Sequence, residues 1–347
     1  MKRTTLLLCA VTALVAATAA PAATTTVVMS GLDNPRGLAF GLGGILSVAE
    51  AGRGGAGPCV VMRGRPQCYG PTGAVSALIV HRQFRLVRGL PSTIAPDGEV
   101  TGPHDLTLDR GGIDVVVGWG GDPALRAQLG EAGRLFGHLV DASALVPFSI
   151  ADIAAVEAAS NPDDGPVDSN PYGVHWLISH LGSPETFVAD AGGNTLIRIS
   201  GGVAAAVRVF PSRPGRPVDS VPTEVTRGPD GALYVGELTG GPFPDGAAII
   251  WRLTPGAPMQ AWSTGWKTII DLDWGMDGSL YVLQYASGPI GLAPPGQLWR
   301  LAPDGTRTLI TDALVNPTAV EVGPDGALYV SNKGNLVGVG EVLRIAP

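Results

Sequence analysis

Cysteine, charge and aromatic rings are all sparse in this chain of 347 residues. Charged side chains make up 15% and aromatic ones 6%, and no basic run occurs. With a net charge of −7, nucleic-acid binding has no electrostatic footing. Beyond the amino terminus no segment reaches 18 uninterrupted apolar residues, the length a membrane helix needs. The G-x-S-x-G elbow, the H-E-x-x-H zinc pair and the P-loop are all missing, which removes the commonest hydrolase and nucleotide-binding readings. The chain does hold 50 Gly and 30 Pro, with no three-residue period, so collagen is excluded. Hydrophobic residues reach 45%, enough to build a core and to argue against disorder. Short apolar runs separated by Gly and Pro predict an all-β fold.

The amino terminus begins Met1-Lys2-Arg3 and continues with an apolar stretch from Leu6 to about Ala17. Ala20-Pro21-Ala22 then offers small residues at a cleavage site, so residues 1–22 read as a signal peptide. A retained membrane anchor is the alternative. The processed chain is expected to start near Ala23 and to be secreted or periplasmic. Two cysteines then remain, Cys59 and Cys68, and an even pair in an exported chain reads as a disulfide closing a small loop. Two free thiols are the alternative.

The phrase Pro229-Asp230-Gly231-Ala232-Leu233-Tyr234-Val235 returns as Met276-Asp277-Gly278-Ser279-Leu280-Tyr281-Val282, and again as Pro324-Asp325-Gly326-Ala327-Leu328-Tyr329-Val330. Its valines are spaced by 47 and 48 residues, and looser copies end at Val48, Val115 and Val188. In each unit an apolar strand leads to a Gly-containing hairpin, then the Leu-Tyr-Val strand, a third strand such as Ile249–Leu253, and a more polar fourth. Six units of four strands predict a six-bladed β-propeller over residues 23–347. Thr25–Met29 is an orphan strand, and the last unit ends after its third strand, so the amino-terminal strand should close the ring in the sixth blade.

The phrases Gly31-Leu32-Asp33-Asn34-Pro35-Arg36-Gly37-Leu38-Ala39-Phe40, Thr101-Gly102-Pro103-His104-Asp105-Leu106 and Asp168-Ser169-Asn170-Pro171-Tyr172-Gly173-Val174 lie partly outside the generic repeat. With Gly236-Glu237-Leu238-Thr239-Gly240 they make the chain resemble the ScyD/ScyE family along nearly its whole processed length. The resemblance implies an exported propeller and no established reaction. One departure is Gly41-Leu42-Gly43-Gly44, where the family pattern has a Gly-Pro-Asp-Gly turn.

Insertions at 51–72 and 118–170 and shorter ones at 240–246 and 287–295 should decorate one face of the ring, where binding loops usually sit. A helix opened by Ser149-x-x-Asp152 is expected within them. Two polar sets should meet that face. One follows each second strand: Glu50, Asp190, Glu237, Gln284 and Asn332, with Val117 as the exception. Glu50, Asp190 and Glu237 there suit a hard cation such as Ca²⁺, or instead cap turns and bind loop amides. The other set enters each inner strand: Arg36, His104, Tyr172, Thr223, Ile270 and Thr318, followed by Gly37, Asp105, Gly173, Glu224, Asp271 and Ala319. His104 with Asp105 is the acid–base candidate, or a hydrogen-bonded structural pair. Arg36, Tyr172, Thr223, Thr318 and Trp119 are the ligand-binding candidates, with loop packing the alternative for Trp119. The sequence therefore predicts a monomeric scaffold for a small molecule or an extracellular protein, with a hydrolase or isomerase as the alternative.

Overall fold

A computed structural model describes residues 24–108, 111–179, 182–212 and 218–346. The expected signal peptide lies outside the described residues. The chain forms six antiparallel sheets set in a ring, a six-bladed β-propeller. Blades II to VI have four strands each, and blade I is enlarged to six by its insertion. The inner strands are Pro35–Phe40, Pro103–Thr107, Pro171–Ile178, Pro222–Arg227, Ile269–Trp274 and Ala319–Val322.

The repeated Asp-Gly phrase makes the hairpin between first and second strands. Gly231, Gly278 and Gly326 have φ of +81°, +75° and +75°, a conformation that glycine reaches without strain. The preceding Asp earns its place by three contacts. Asp230 accepts from the Ala232 amide at 3.1 Å, from the Tyr234 hydroxyl at 3.1 Å and from Arg252 on the third strand at 2.8 Å. Asp325, Tyr329 and Arg344 repeat this arrangement, and Asp277 with Arg300 repeats its ion pair. In blade I the departing phrase forms a short 3-10 turn at Leu42–Gly44, with Gly43 and Gly44 at φ +72° and +73°.

Apolar side chains from the facing sides of neighbouring sheets fill the space between blades. The junction of blades IV and V, for example, holds Tyr234, Ile250, Trp266, Leu272 and Val282. The ring closes where Thr24–Leu32 pairs antiparallel with Gly340–Ala346 as the outer strand of blade VI. Met29 and Leu32 are buried in that seam against Leu38, Val48 and Val342.

The insertions lie where the repeat places them. Cys59 and Cys68 form a disulfide across the hairpin Cys59–Met62/Arg65–Ile79 of blade I. The third strand of blade I therefore begins at Arg65, inside the stretch expected to be loop. Pro123–Gly133 forms 3-10 turns between the second and third strands of blade II. The helix between blades II and III spans Ala154–Ser160 and starts later than the sequence pattern suggests. Ser149 belongs to the outer strand Phe148–Asp152, because its hydroxyl meets His138 on the neighbouring strand at 2.7 Å. Asp152 still caps the helix, accepting from the Ala155 amide at 3.0 Å.

Candidate functional site

Inner strands present alternate residues to the central axis, and a register break displaces the first of them. In blades I to V pairing with the second strand shifts across the entry residue. The bulge detaches Arg36, His104, Tyr172, Thr223 and Ile270 from the regular alternation. Below this entry tier, two regular tiers face the axis. The upper holds Asp105, Glu224 and Asp271, with Gly37, Gly173 and Ala319 completing it. The lower holds Thr107, His175, Thr226, Asp273 and Glu321.

The entry tier is closed. Arg36 donates to the Gly334 carbonyl and, at 3.2 Å, to that of Val100. His104 is buried, its ring 4.7 Å from that of Tyr172. Its Nδ1 lies 3.0 Å from the Pro171 carbonyl, which can only accept, so Nδ1 carries the proton. Thr223 donates to the Ile269 carbonyl at 2.9 Å, and Thr318 to that of Pro35 at 2.7 Å. His104, Thr223 and Thr318 thus each reach the first strand residue of the next blade. Burial, reinforced by the Arg36 charge, pushes the imidazole down to about 3, so His104 stays neutral. Burial also pushes the Tyr172 phenol up to about 12.

Beneath the closed tier lies a cavity of about 220 Å³ whose wall carries five carboxyl groups. Its lining runs from the upper tier down to Phe40, Leu108 and Trp176 near the hairpins and includes no residue of the entry tier. The cavity therefore opens toward the hairpin face, opposite the insertions. Each inner strand is a sheet edge with amides directed at the axis, and the acids satisfy them. Asp105 accepts from its neighbour Leu106 at 2.8 Å and from Val174 of blade III at 2.7 Å. Asp271 and Asp273 accept from Val320 and Val322 of blade VI, both at 2.7 Å. Burial raises Asp105 to about 7 and Asp273 to about 6. Burial and then neighbouring carboxylates hold Glu224, Asp271 and Glu321 well above the usual range. Gly37 makes room for this packing, since a Cβ there would sit 1.8 Å from Asp105 Oδ1.

The polar set after the second strands does not converge. Glu50 accepts from the Asp33 amide at 2.7 Å, from the Ser76 hydroxyl at 2.5 Å and from Arg85 Nε at 3.0 Å. Asp190 accepts from the Ser169 hydroxyl and the Asn170 amide, both at 2.7 Å, and burial raises its carboxyl to about 6. Glu237 accepts from the indole of Trp251 and from the Ile249 amide. Gln284 donates to the Lys267 carbonyl at 2.7 Å, and Asn332 accepts from the Val315 amide at 2.7 Å. Four of these five clasp the connection that delivers the inner strand of their own blade. Among the described residues no group of three or more His, Cys, Asp or Glu could hold a metal ion. Glu50 and Asp190 bind connection amides and serine hydroxyls, Glu237 binds groups of its own third strand, and the three stand on separate blades.

Trp119 is fully buried, packed on Phe136 at 5.2 Å, with Nε1 donating to the Asp122 carbonyl at 2.9 Å. No ring face is left for a ligand, so its part is to anchor the blade II insertion. Sequence reasoning named the upper acidic tier but missed Asp273, Glu321 and His175. The signal was available, because each stands two residues beyond a named position on a strand with a two-residue side-chain period.

No helix among the described residues is long and apolar enough to cross a membrane. No family model and no curated protein matches the chain. Solved structures do match in fold. A streptogramin B lyase is 13% identical, covers 93% of this chain and 97% of its own, and has a TM-score of 0.50. A virginiamycin B lyase from Staphylococcus aureus is 13% identical over 94% and 99%, with a TM-score of 0.46. A glucose dehydrogenase is 16% identical over 93% and 99%, with a TM-score of 0.49. At these identities the likeness extends to the propeller fold and no further.

Proposed function

We propose that this chain is an exported propeller of the ScyD/ScyE type that serves as a binding scaffold for an extracellular protein partner, held on the decorated face. Export is supported by the basic-apolar-small order of residues 1–22 and by the Cys59–Cys68 disulfide. The observation that carries the binding role is a set of apolar side chains left exposed in neighbouring loops of blades V and VI. Leu292, Val315, Leu336, Val337 and Val339 are 80%, 44%, 40%, 45% and 53% exposed. Tyr285 ties these loops together through its hydroxyl, which accepts from Asn316 at 2.9 Å and Asn335 at 3.5 Å. Apolar groups gathered on a tied loop surface favour association with a partner. The test is crosslinking in the native extracytoplasmic fraction. A defined adduct should form with wild type and be lost in a Leu292→Asp/Val337→Asp variant that melts normally. An unchanged adduct pattern refutes the reading.

The second reading is a hydrolase or isomerase working in the central cavity. Asp105 and Asp273, near 7 and 6, favour it because they are poised to exchange protons near neutrality. His104 has no part in this version, since a neutral, buried imidazole at about 3 takes up no proton at physiological pH. A turnover abolished by Asp105→Asn and untouched by His104→Ala would select it.

A further inference from the structure

A cleft of about 390 Å³ opens on the hairpin face between blades III and IV. It arises where two features of the repeat fail together. In blades I and V the residue four beyond the entry position plugs the junction with the blade before it. Phe40 stands edge-on to Tyr329 at 5.0 Å, and Trp274 stands edge-on to Tyr234 at 4.9 Å. The corresponding residues of blades II, III and VI are Leu108, Trp176 and Val322, all apolar. Blade IV alone has a charged residue there, Arg227, which pairs with Leu233 as Trp274 pairs with Leu280. Its side chain is exposed and makes no hydrogen bond or ion pair with a described residue. The junction is left unplugged.

The second failure is the missing partner of Arg198. In blades IV to VI the third-strand arginine opposite a tyrosine is neutralised by the hairpin aspartate: Arg252 by Asp230, Arg300 by Asp277, Arg344 by Asp325. Arg198 holds the same register position, opposite Phe187. Phenylalanine has no hydroxyl, and the hairpin of blade III between Ser179 and Ser183 contains no aspartate. Among the described residues Arg198 reaches only Glu185, at 3.6 Å. Both arginines line the cleft with Arg208, whose guanidinium donates to the Val207 carbonyl at 2.7 Å. Three cations thus face one carboxylate at the rim, on a protein whose net charge is −7. The floor is apolar, formed by Phe187, Leu196, Leu233 and Leu253.

We propose that this cleft binds a small amphipathic monocarboxylate, its apolar body lying on the Phe187–Leu253 floor and its carboxylate taken by Arg227 and Arg198. The size suits a single small ligand, and arginine forks favour carboxylates over neutral polar groups. The site is independent of the decorated face and of the central cavity.

The experiment titrates decanoate and 3-phenylpropanoate, below any aggregation threshold, into the intact protein by calorimetry, with decan-1-ol and 3-phenylpropan-1-ol as neutral counterparts. Saturable one-to-one binding of at least one acid is expected, with its alcohol about tenfold weaker or more. Arg227→Trp restores the residue type of the other blades, fills the cleft and should remove binding while raising the melting temperature. Arg198→Gln should weaken the acid about tenfold and leave the alcohol unchanged. If Arg227→Trp does not fold, Arg198→Gln decides alone. No saturable binding of either acid, equal binding of acid and alcohol, or affinity unmoved by a folded variant overturns the proposal.

Discussion

Arg85→Met gives the clearest test of whether the polar set after the second strands is structural. Arg85 lies on the outer strand Arg82–Ile94 of blade I, with its side chain 24% exposed. It reaches over the third strand to pair with Glu50, which is fully buried, and stands 3.4 Å from Asp33. Removing the guanidinium leaves the Glu50 carboxylate with the Asp33 amide and the Ser76 hydroxyl, and without a counter-charge. Stranding one partner of a buried ion pair costs about 3–5 kcal/mol. At roughly 2 °C per kcal/mol for a large domain, the melting temperature should fall by about 6–10 °C. Glu50→Gln in the same chain removes the stranded charge and should recover more than half of that loss. The assay is thermal melting followed by circular dichroism, completed as a double-mutant cycle. Melting of Arg85→Met within about 1 °C of wild type, or no recovery in the double variant, would show that Glu50 is not held as an ion-paired clasp.

The axial carboxyls predict a pH dependence of unusual sign. Their folded values lie above the unfolded range near about 4, so the folded state keeps protons that the unfolded chain has released. Stability should therefore fall as pH rises from about 4 toward 7, through the values of Asp273 and Asp105. Asp152, held at about 2, is ionised across most of that window and adds little slope. His104, at about 3 against an unfolded value of about 6.5, favours folding as pH rises and so opposes the trend, one group against five carboxyls. Melting that is no higher at pH 5 than at pH 8 contradicts the assignment. Gly37→Ala should destabilise by more than about 2 kcal/mol, because the new methyl collides with both the carboxyl and the backbone of Asp105; denaturant titration measures it. Replacing Cys59 and Cys68 by Ser should cost about 2–3 kcal/mol or less for so short a loop. Limited proteolysis should then cut first within the blade I insertion.

The architecture was legible because the Asp-Gly-x-Leu-Tyr-Val phrase carries its own physics. The turn requires a glycine, and the Asp–Tyr–Arg contacts that fix it recur with it. The candidate site was less legible for a reason equally local. The inner-strand bulge puts His104 and Thr223 into blade-to-blade hydrogen bonds, so polarity at the strand entry marks a seal and not a mouth. Nor does a one-dimensional pattern show which end of an axial cavity is open. Trp119 looked available because glycines surround it in sequence, yet the fold covers it with the blade II insertion, Phe136 included. The cleft at Arg227 was visible only by lining up the same strand position in all six blades.

The seam between Thr24–Leu32 and Gly340–Ala346 joins segments more than three hundred residues apart in sequence. Synthesis delivers Thr24–Leu32 long before Gly340–Ala346. Throughout elongation the early strand has no partner, and blade VI lacks its rim. Closure of the circle thus waits until Gly340–Ala346 has been made, and a polypeptide cut short before Gly340 would be left as an open arc with raw sheet borders at both ends.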